Sequence, residues 1–478
     1  MRTVFATGTS LHWVGLNKNF FSSSTTASAE TTDNSEIVPS FRVCLVVLLS
    51  FLLTSCGHMS WTYHLLEQVS GQATELVTNS AGYALQGVGM FLFSLVLRYR
   101  KERREAVFRI SLFAYTVCMA AAVISSKAGI TIGFGMAMSL LCGIIAGYYL
   151  HLLAEMGGVH IGLTFGLGYG GAVIAGWLLS VFGESLYYGR GVILIAAVLV
   201  LLIVLANRPD GSSVQNPPSG HEDRVEFKRL LLVSGAAVVL FSIFNNIGFV
   251  FSSDALQNGI RPEYSRLLYA AGLIIAGVIS DKSRKKGTFF AFVSLTVPFA
   301  LIALKSEPLP AVALWAVGYL GFGALSVFRV IQFLDLSKEK NMLWISCLGL
   351  AVGRIGDSAG TAMCTTLSYH RTVLIVLAAV IFAVCVLLFV QLYELQFSAE
   401  PVQARSSTDI FEDFSTAYDL SAREREVLRL VLEDKTNKEI AGTIFVTERT
   451  VKFHITNLLK KTGCKDRGEL RRLYLSER

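Results

Sequence analysis

Close to the C-terminus, Arg449, Lys452, Phe453, Thr456 and Lys460 recur at intervals that gather them on one face of an α-helix, with Val451, Ile455, Leu458 and Leu459 on the other. The first face is cationic and polar, the second apolar. On the second helix of a helix-turn-helix, such a face enters the major groove of double-stranded DNA. There Lys and Arg neutralise phosphates and side-chain donors read base edges. A small structural bundle with a solvated basic face is the competing account of the same residues.

The elements that must position this face are readable from helix-start signals. Ser421 is followed by Glu424, Thr436 by Glu439 and Asp466 by Glu469. Each pair has the pattern of a capping box, in which the first side chain covers an orphan N–H and the carboxylate reaches back. Thr447 occupies the same kind of position without an acidic partner. The spacing predicts a helix over about 422–433 with Val427, Leu428, Val431 and Leu432 inward, and one over about 437–444 with Ile440 and Ala441 inward. A third starts at Thr447 and a fourth follows Asp466. Phe445 and Val446 make a tight turn before the third, with Val446 placed to staple onto Val451.

The segments LSAREREVLRLV, TNKEIA, TERTVKFHITNLLKKTG and RGEL together resemble the LuxR/NarL-type helix-turn-helix family over nearly the whole of residues 421–478. The promoter-reading region of sigma factors is similar only to the LSAREREVL-like opening. The LuxR/NarL resemblance, with the helical geometry, implies that Lys452, Phe453 and Thr456 approach base edges. Thr447, Thr450, His454, Lys438 and Lys460 would then sit near phosphates, with Arg449 on the same face. His454 has a second reading, as a buried or helix-capping histidine. The resemblance also implies a homodimer paired through the fourth helix, near Leu470, Leu473 and Tyr474, on inverted half-sites.

The rest of the chain is of another kind. The protein has 478 residues, 53% of them hydrophobic and 16% charged, and long apolar runs recur with short polar breaks. That composition excludes a set of soluble domains and fits a polytopic membrane protein. Residues 1–40, rich in Ser and Thr, read as a disordered tail. Twelve candidate spans follow over 41–392, in halves 41–206 and 230–392 separated by NRPDGSSVQNPPSGHEDR, and the equal halves suggest an internal repeat. Lys and Arg concentrate in the loops after spans two, six, eight and ten, which puts both termini in the cytoplasm, across a bacterial inner membrane. That is also the side where a C-terminal module could meet DNA.

Two loops add a second resemblance. GVISDKSRKK, residues 277–286, is similar to the G-x-x-x-D-plus-basic motif that the major facilitator superfamily carries between its eighth and ninth helices. RYRKERREAVFR in the first half keeps the basic cluster without the Asp. The fold class expected is therefore all-α: a polytopic twelve-helix facilitator-like bundle plus a four-helix LuxR-type domain.

Ionisable groups inside spans are costly and so point to sites. Arg354 and Asp357 stand three apart in span eleven, on one helix face. They are either a structural ion pair or the lining of a cavity that meets a polar or anionic small-molecule effector. Asn245 and Asn246 in span seven, Glu184 and Arg329 are weaker cavity or gate candidates. The glycines of span five (Gly162, Gly166, Gly168, Gly170, Gly171, Gly176), and those around Arg354, speak first for close helix packing. Eight scattered cysteines and eight scattered histidines form no metal spacing, and no Walker loop, nucleophile elbow or H-E-x-x-H helix occurs. No catalytic residue, metal or cofactor is expected.

Residues 393–420 read as a cytoplasmic linker. As a flexible coil, about 28 residues would span on the order of 30 Å. Phe411, Phe414 and Tyr418, at helical spacing, could instead dock on the module or form a short helix. The function expected is a membrane-embedded one-component transcription regulator whose membrane half is the sensor. The alternative is a secondary transporter with a regulatory DNA-binding tail.

Overall fold

A backbone in hydrocarbon has no water to bond, so apolar runs of about 20 residues fold as helices that satisfy their N–H and C=O groups internally. A computed structural model of the protein describes residues 41–156, 160–207, 224–251, 262–303, 308–339, 342–367, 370–398, 407–433 and 435–476. The expected tail at 1–40 and most of the central break lie outside them. Twelve helical segments stand where twelve spans were expected. The first half holds α1 (Phe41–Leu66), α2 (Gly71–Tyr99), α3 (Lys101–Ile124), α4 (Ala128–Glu155), α5 (Ile161–Phe182) and α6 (Val192–Ala206). The second holds α7 (Arg224–Phe251), α8 (Pro262–Lys282), α9 (Arg284–Ser294, continued after Leu295 by Thr296–Ala303), α10 (Pro308–Glu339), α11 (Leu348–Leu367) and α12 (Arg371–Tyr393).

Among the described residues, eight of these helices are long and apolar enough to cross a membrane. The other four are informative. Helix α6 is apolar but short, α9 is broken at Leu295 into two short pieces, and α8 and α11 carry charges such as Arg266 and Arg354 that dilute their apolar character.

Glycine sets how closely the helices approach. At the crossing of α5 and α8, a Cβ on Gly162 would run into the carbonyl oxygen of Gly277, and one on Gly277 into that of Gly162. Gly166 and Gly170 continue the contact with α8, and Gly168 and Gly171 face α1. On α11, Gly356 and Gly360 lie against the backbone of α7. These glycines serve packing, as the sequence suggested first.

The GVISDKSRKK loop joins the two halves. Asp281 accepts hydrogen bonds from the N–H groups of Gly162 (2.8 Å) and Leu163 (2.7 Å), at the start of α5. Those are orphan donors at the positive end of a helix dipole, so a carboxylate fits them twice over. Arg284 holds Asp281 in place at 3.2 Å and binds Asp335 of α10 at 2.7 Å.

Beyond the bundle lie α13 (Ser407–Ala417), α14 (Ala422–Leu432), α15 (Asn437–Thr443), α16 (Glu448–Thr462) and α17 (Arg467–Ser476). No strand occurs among the described residues, and the fold is all-α. The stretch expected as a linker is largely helical: Glu394–Ser398 extends α12 by one turn, and α13 buries Phe411 and Phe414 in the core built from α14 to α17. Removing two phenyl rings from water outweighs the freedom of an extended chain there.

Candidate nucleic-acid interface and membrane cavity

The caps that position the C-terminal helices form largely as their residue types dictate. Ser421 with Glu424 and Thr436 with Glu439 close full capping boxes. Thr447 accepts from the N–H of Thr450 at 3.3 Å and shares a hydroxyl hydrogen bond with Thr450 at 2.8 Å. The third expected box closes differently. Asp466 accepts from the N–H of Glu469 at 2.8 Å, but the Glu469 carboxylate takes the N–H of Lys465 at 2.7 Å instead of that of Asp466. Two carboxylates side by side on one helix start repel, and the shift by one residue separates them.

The turn into α16 has Phe445 in the left-handed region (φ 55°) and 94% exposed. Val446 packs on the core, and its N–H reaches the carbonyl of Ala441. On α16, Val451, Ile455 and Leu458 are buried and Leu459 is partly buried. Arg449, Lys452, Phe453, Thr456 and Lys460 are exposed together on the opposite side, as are Thr447 before them and Lys438 on α15. Thr450 and His454 are half-buried at the margin of the face. Phe453 leaves 62% of its surface in solvent, next to the His454 ring at 5.7 Å. Gly463, in the left-handed conformation (φ 72°), ends α16.

Lys461, by contrast, stays exposed but reaches across to α14. It donates to the Glu424 carboxylate at 2.8 Å and to the Asp419 carbonyl at 2.6 Å, tying α16 to the start of α14. Burial pushes the Glu424 carboxyl upward, but Lys461 and the N–H and hydroxyl of Ser421 outweigh it and hold the group below the ordinary glutamate range.

Of the residues set aside for pairing, one is taken up by the module itself. Leu470 is fully buried in the module's own core, and Leu473 and Tyr474 are partly buried. The rings of Phe414 and Phe411 lie 5.3 and 6.4 Å from that of Tyr474. Helix α13 therefore covers this part of α17 within one chain.

In the bundle, the sequence pairing of Arg354 with Asp357 is real but secondary. Both Asp357 oxygens bind Nη1 of Arg329 on α10, at 2.9 and 3.0 Å, while Arg354 reaches one of them at 3.4 Å. Ser242 and Ser326 add acceptors to Arg329 at 3.2 and 3.3 Å. Asn246 binds the Asp357 backbone carbonyl at 2.8 Å. Asn245 is buried, its amide nitrogen without a partner among the described residues, and does not line the cavity beside this cluster. That cavity, of about 230 Å³, is lined by Arg329 and Arg354, by Arg266 of α8, and by a ring of aromatics. Glu184 lies elsewhere, exposed, on a separate depression with Tyr188 and Arg190.

Residues 419–474 match the family described as bacterial regulatory proteins, luxR family. The spore germination protein GerE of Bacillus subtilis is 45% identical over 58 residues, which are 12% of this chain and 78% of GerE. The chain belongs to the luxR family of bacterial regulatory proteins. The luxR-family module is a DNA-binding transcription-regulation domain. The B. subtilis transcriptional regulatory protein LiaR is 54% identical over 50 residues, and the Escherichia coli K12 nitrate/nitrite response regulator NarL 44% over 50. The chain spans about a quarter of the length of each, at 24% and 23%. For the fold, the human organic anion transporter MFSD10 (TETRAN) superposes with a TM-score of 0.50 at 17% identity, covering 75% of this chain and 99% of that one. The bundle is facilitator-like.

Sequence reasoning passed over two groups in this luxR-family chain. Arg266 falls inside the eighth expected span, and an intramembrane arginine was the available signal. Lys461 gave none, since only the fold tells it from Lys460.

Proposed function

We propose that the protein is a membrane-embedded one-component transcription regulator. Its bundle senses a small effector, and its luxR-family module binds duplex DNA from the cytoplasmic side, where both termini lie. The observation that carries the reading is the fusion in one chain of a luxR-family module with an exposed cationic, polar face on α16 and a twelve-helix bundle with a charged, aromatic-walled cavity. In it, Lys452, Phe453 and Thr456 read base edges, and Thr447, Arg449, Thr450, His454, Lys438 and Lys460 set the register on phosphates. Effector binding biases two arrangements of the bundle, and α12 carries the change to α13. Because α13 lies over Tyr474, pairing of modules through α17 requires α13 to move or to share the interface.

The test is a gel-shift assay on residues 405–478, which contain the whole core of the module. Salt-sensitive binding of a duplex is expected, and a folded fragment that binds no duplex at low ionic strength would end the proposal. The facilitator-like fold favours one other reading, a working transporter with a regulatory tail. Transport by the intact protein that is unchanged on deleting 405–478 would select it.

A further inference from the structure

The central cavity has an unbalanced charge. Three guanidiniums line it, those of Arg266, Arg329 and Arg354, and among the described residues no Asp or Glu does. Among the described residues, the carboxylate that meets this group is Asp357, behind the lining, bonded to Arg329 and Arg354, and its single charge answers only one of them. Arg266 has no carboxylate partner among the described residues. It donates to the sulfur of Met59 at 3.3 Å, a weak acceptor for a cation. The Nε–H groups of both Arg329 and Arg354 are buried without a hydrogen-bond acceptor among the described residues. Such excess positive charge in a low-dielectric bundle is costly unless something anionic enters.

The walls say what else the anion carries. Arg354 lies over the ring of Tyr83 at 4.8 Å and reaches the Tyr169 hydroxyl at 3.5 Å. Tyr169 stacks on Phe51 with centroids 3.5 Å apart and meets Tyr269 edge-on at 6.3 Å. Tyr269 stands one helical turn below Arg266 on α8. Between the arginines the surface is thus aromatic faces and edges, which prefer another flat ring. A volume of about 230 Å³ falls below the roughly 300–1,000 Å³ of pockets that bury drug-sized molecules, so the occupant is small.

We propose that this cavity binds a small aromatic carboxylate, its acid group on the guanidinium of Arg354 and its ring among Tyr83, Tyr169 and Tyr269, with Arg266 supplying a second positive pole. A carboxylate matches the planar fork of arginine in two parallel hydrogen bonds, which a neutral amide or an amine does not reproduce. The assignment rests on the sensor reading above only for its physiological meaning. As a binding site it stands alone.

The test uses the full-length protein in lipid nanodiscs and a panel of benzoate, phenylacetate, 3-phenylpropanoate and cinnamate, each beside its primary amide and its amine counterpart. At least one acid is expected to bind at least tenfold more tightly than its amide, by calorimetry or thermal shift, with no binding of the amines. Arg354→Gln removes that preference, and the bundle stays folded because Asp357 keeps Arg329. Arg266→Gln, which breaks no ion pair among the described residues, weakens the acid several-fold and leaves the melting temperature of the empty protein unchanged. If no acid outbinds its amide, or if both variants bind acids like the parent, the proposal is overturned. A promoter reporter separates it from the sensor reading. Acids that bind in nanodiscs without moving the reporter sink the sensor and spare the site, whereas an amine that drives the reporter through Arg354 spares the sensor and sinks the ligand class.

Discussion

Arg329 of α10 and Asp357 of α11 form an ion pair in which both carboxylate oxygens lie within 3.0 Å of one guanidinium nitrogen, with the side chains only 2% and 1% exposed. At that depth the two charges depend on each other. Asp357→Ala leaves Arg329 uncompensated and is expected to destabilise the bundle by about 3–5 kcal/mol, the usual cost of breaking a buried pair from one side. Thermal unfolding in detergent measures it, and a melting temperature equal to the parent's would show that Arg329 finds another acceptor.

The bonds from Asp281 to the start of α5 make a second prediction. Asp281→Ala removes a cap worth about 1 kcal/mol, so exchange of the Gly162 and Leu163 amides is expected to speed roughly fivefold. Unchanged exchange at both would mean that neighbouring groups replace the carboxylate.

On the DNA face, two lysines should behave differently. Lys452→Ala is expected to cost about 1–3 kcal/mol against the best site and to blur base preference. Lys460→Ala should weaken all duplexes alike and reduce the salt slope by about one. Titrations of residues 405–478 at several salt concentrations separate the two outcomes.

Phe414 tests whether α13 is part of the module. With its ring fully buried, Phe414→Ala should cost about 3–5 kcal/mol in chemical denaturation of residues 405–478. A fragment starting at residue 420 that melts like the longer one would contradict this.

The Glu424–Lys461 contact fixes a pH dependence. The Glu424 carboxyl is held below its ordinary value of 4.5, so the unfolded module binds the proton more readily. Its contribution is complete above that value and disappears as pH falls through the lower folded-state value. Acid melts of residues 405–478 should show this loss, and Glu424→Gln should flatten it.

How much of this was legible beforehand varied with the physics involved. The inward and outward faces of α16 followed from periodicity alone, because Val451, Ile455 and Leu458 can only point one way at once. Two capping boxes were readable because they are local, three residues from end to end. The Arg329–Asp357 pair spans 28 residues and two helices, and no spacing rule links them. The cover that α13 places over Tyr474 was hidden for a related reason. Phe411 and Phe414 announce an apolar stripe that could dock on the module, without naming Tyr474 as its contact.

That cover also shortens the tether. With α12 extended to Ser398 and α13 beginning at Ser407, eight residues join bundle and module, a reach of no more than roughly 30 Å even when fully drawn out. On the proposed membrane-embedded reading, two modules can meet only when their bundles are already neighbours in the plane of the bilayer. If the modules pair as proposed, lateral diffusion of the bundles sets the effective concentration at which they encounter each other, and crowding the protein into one patch of membrane would favour pairing.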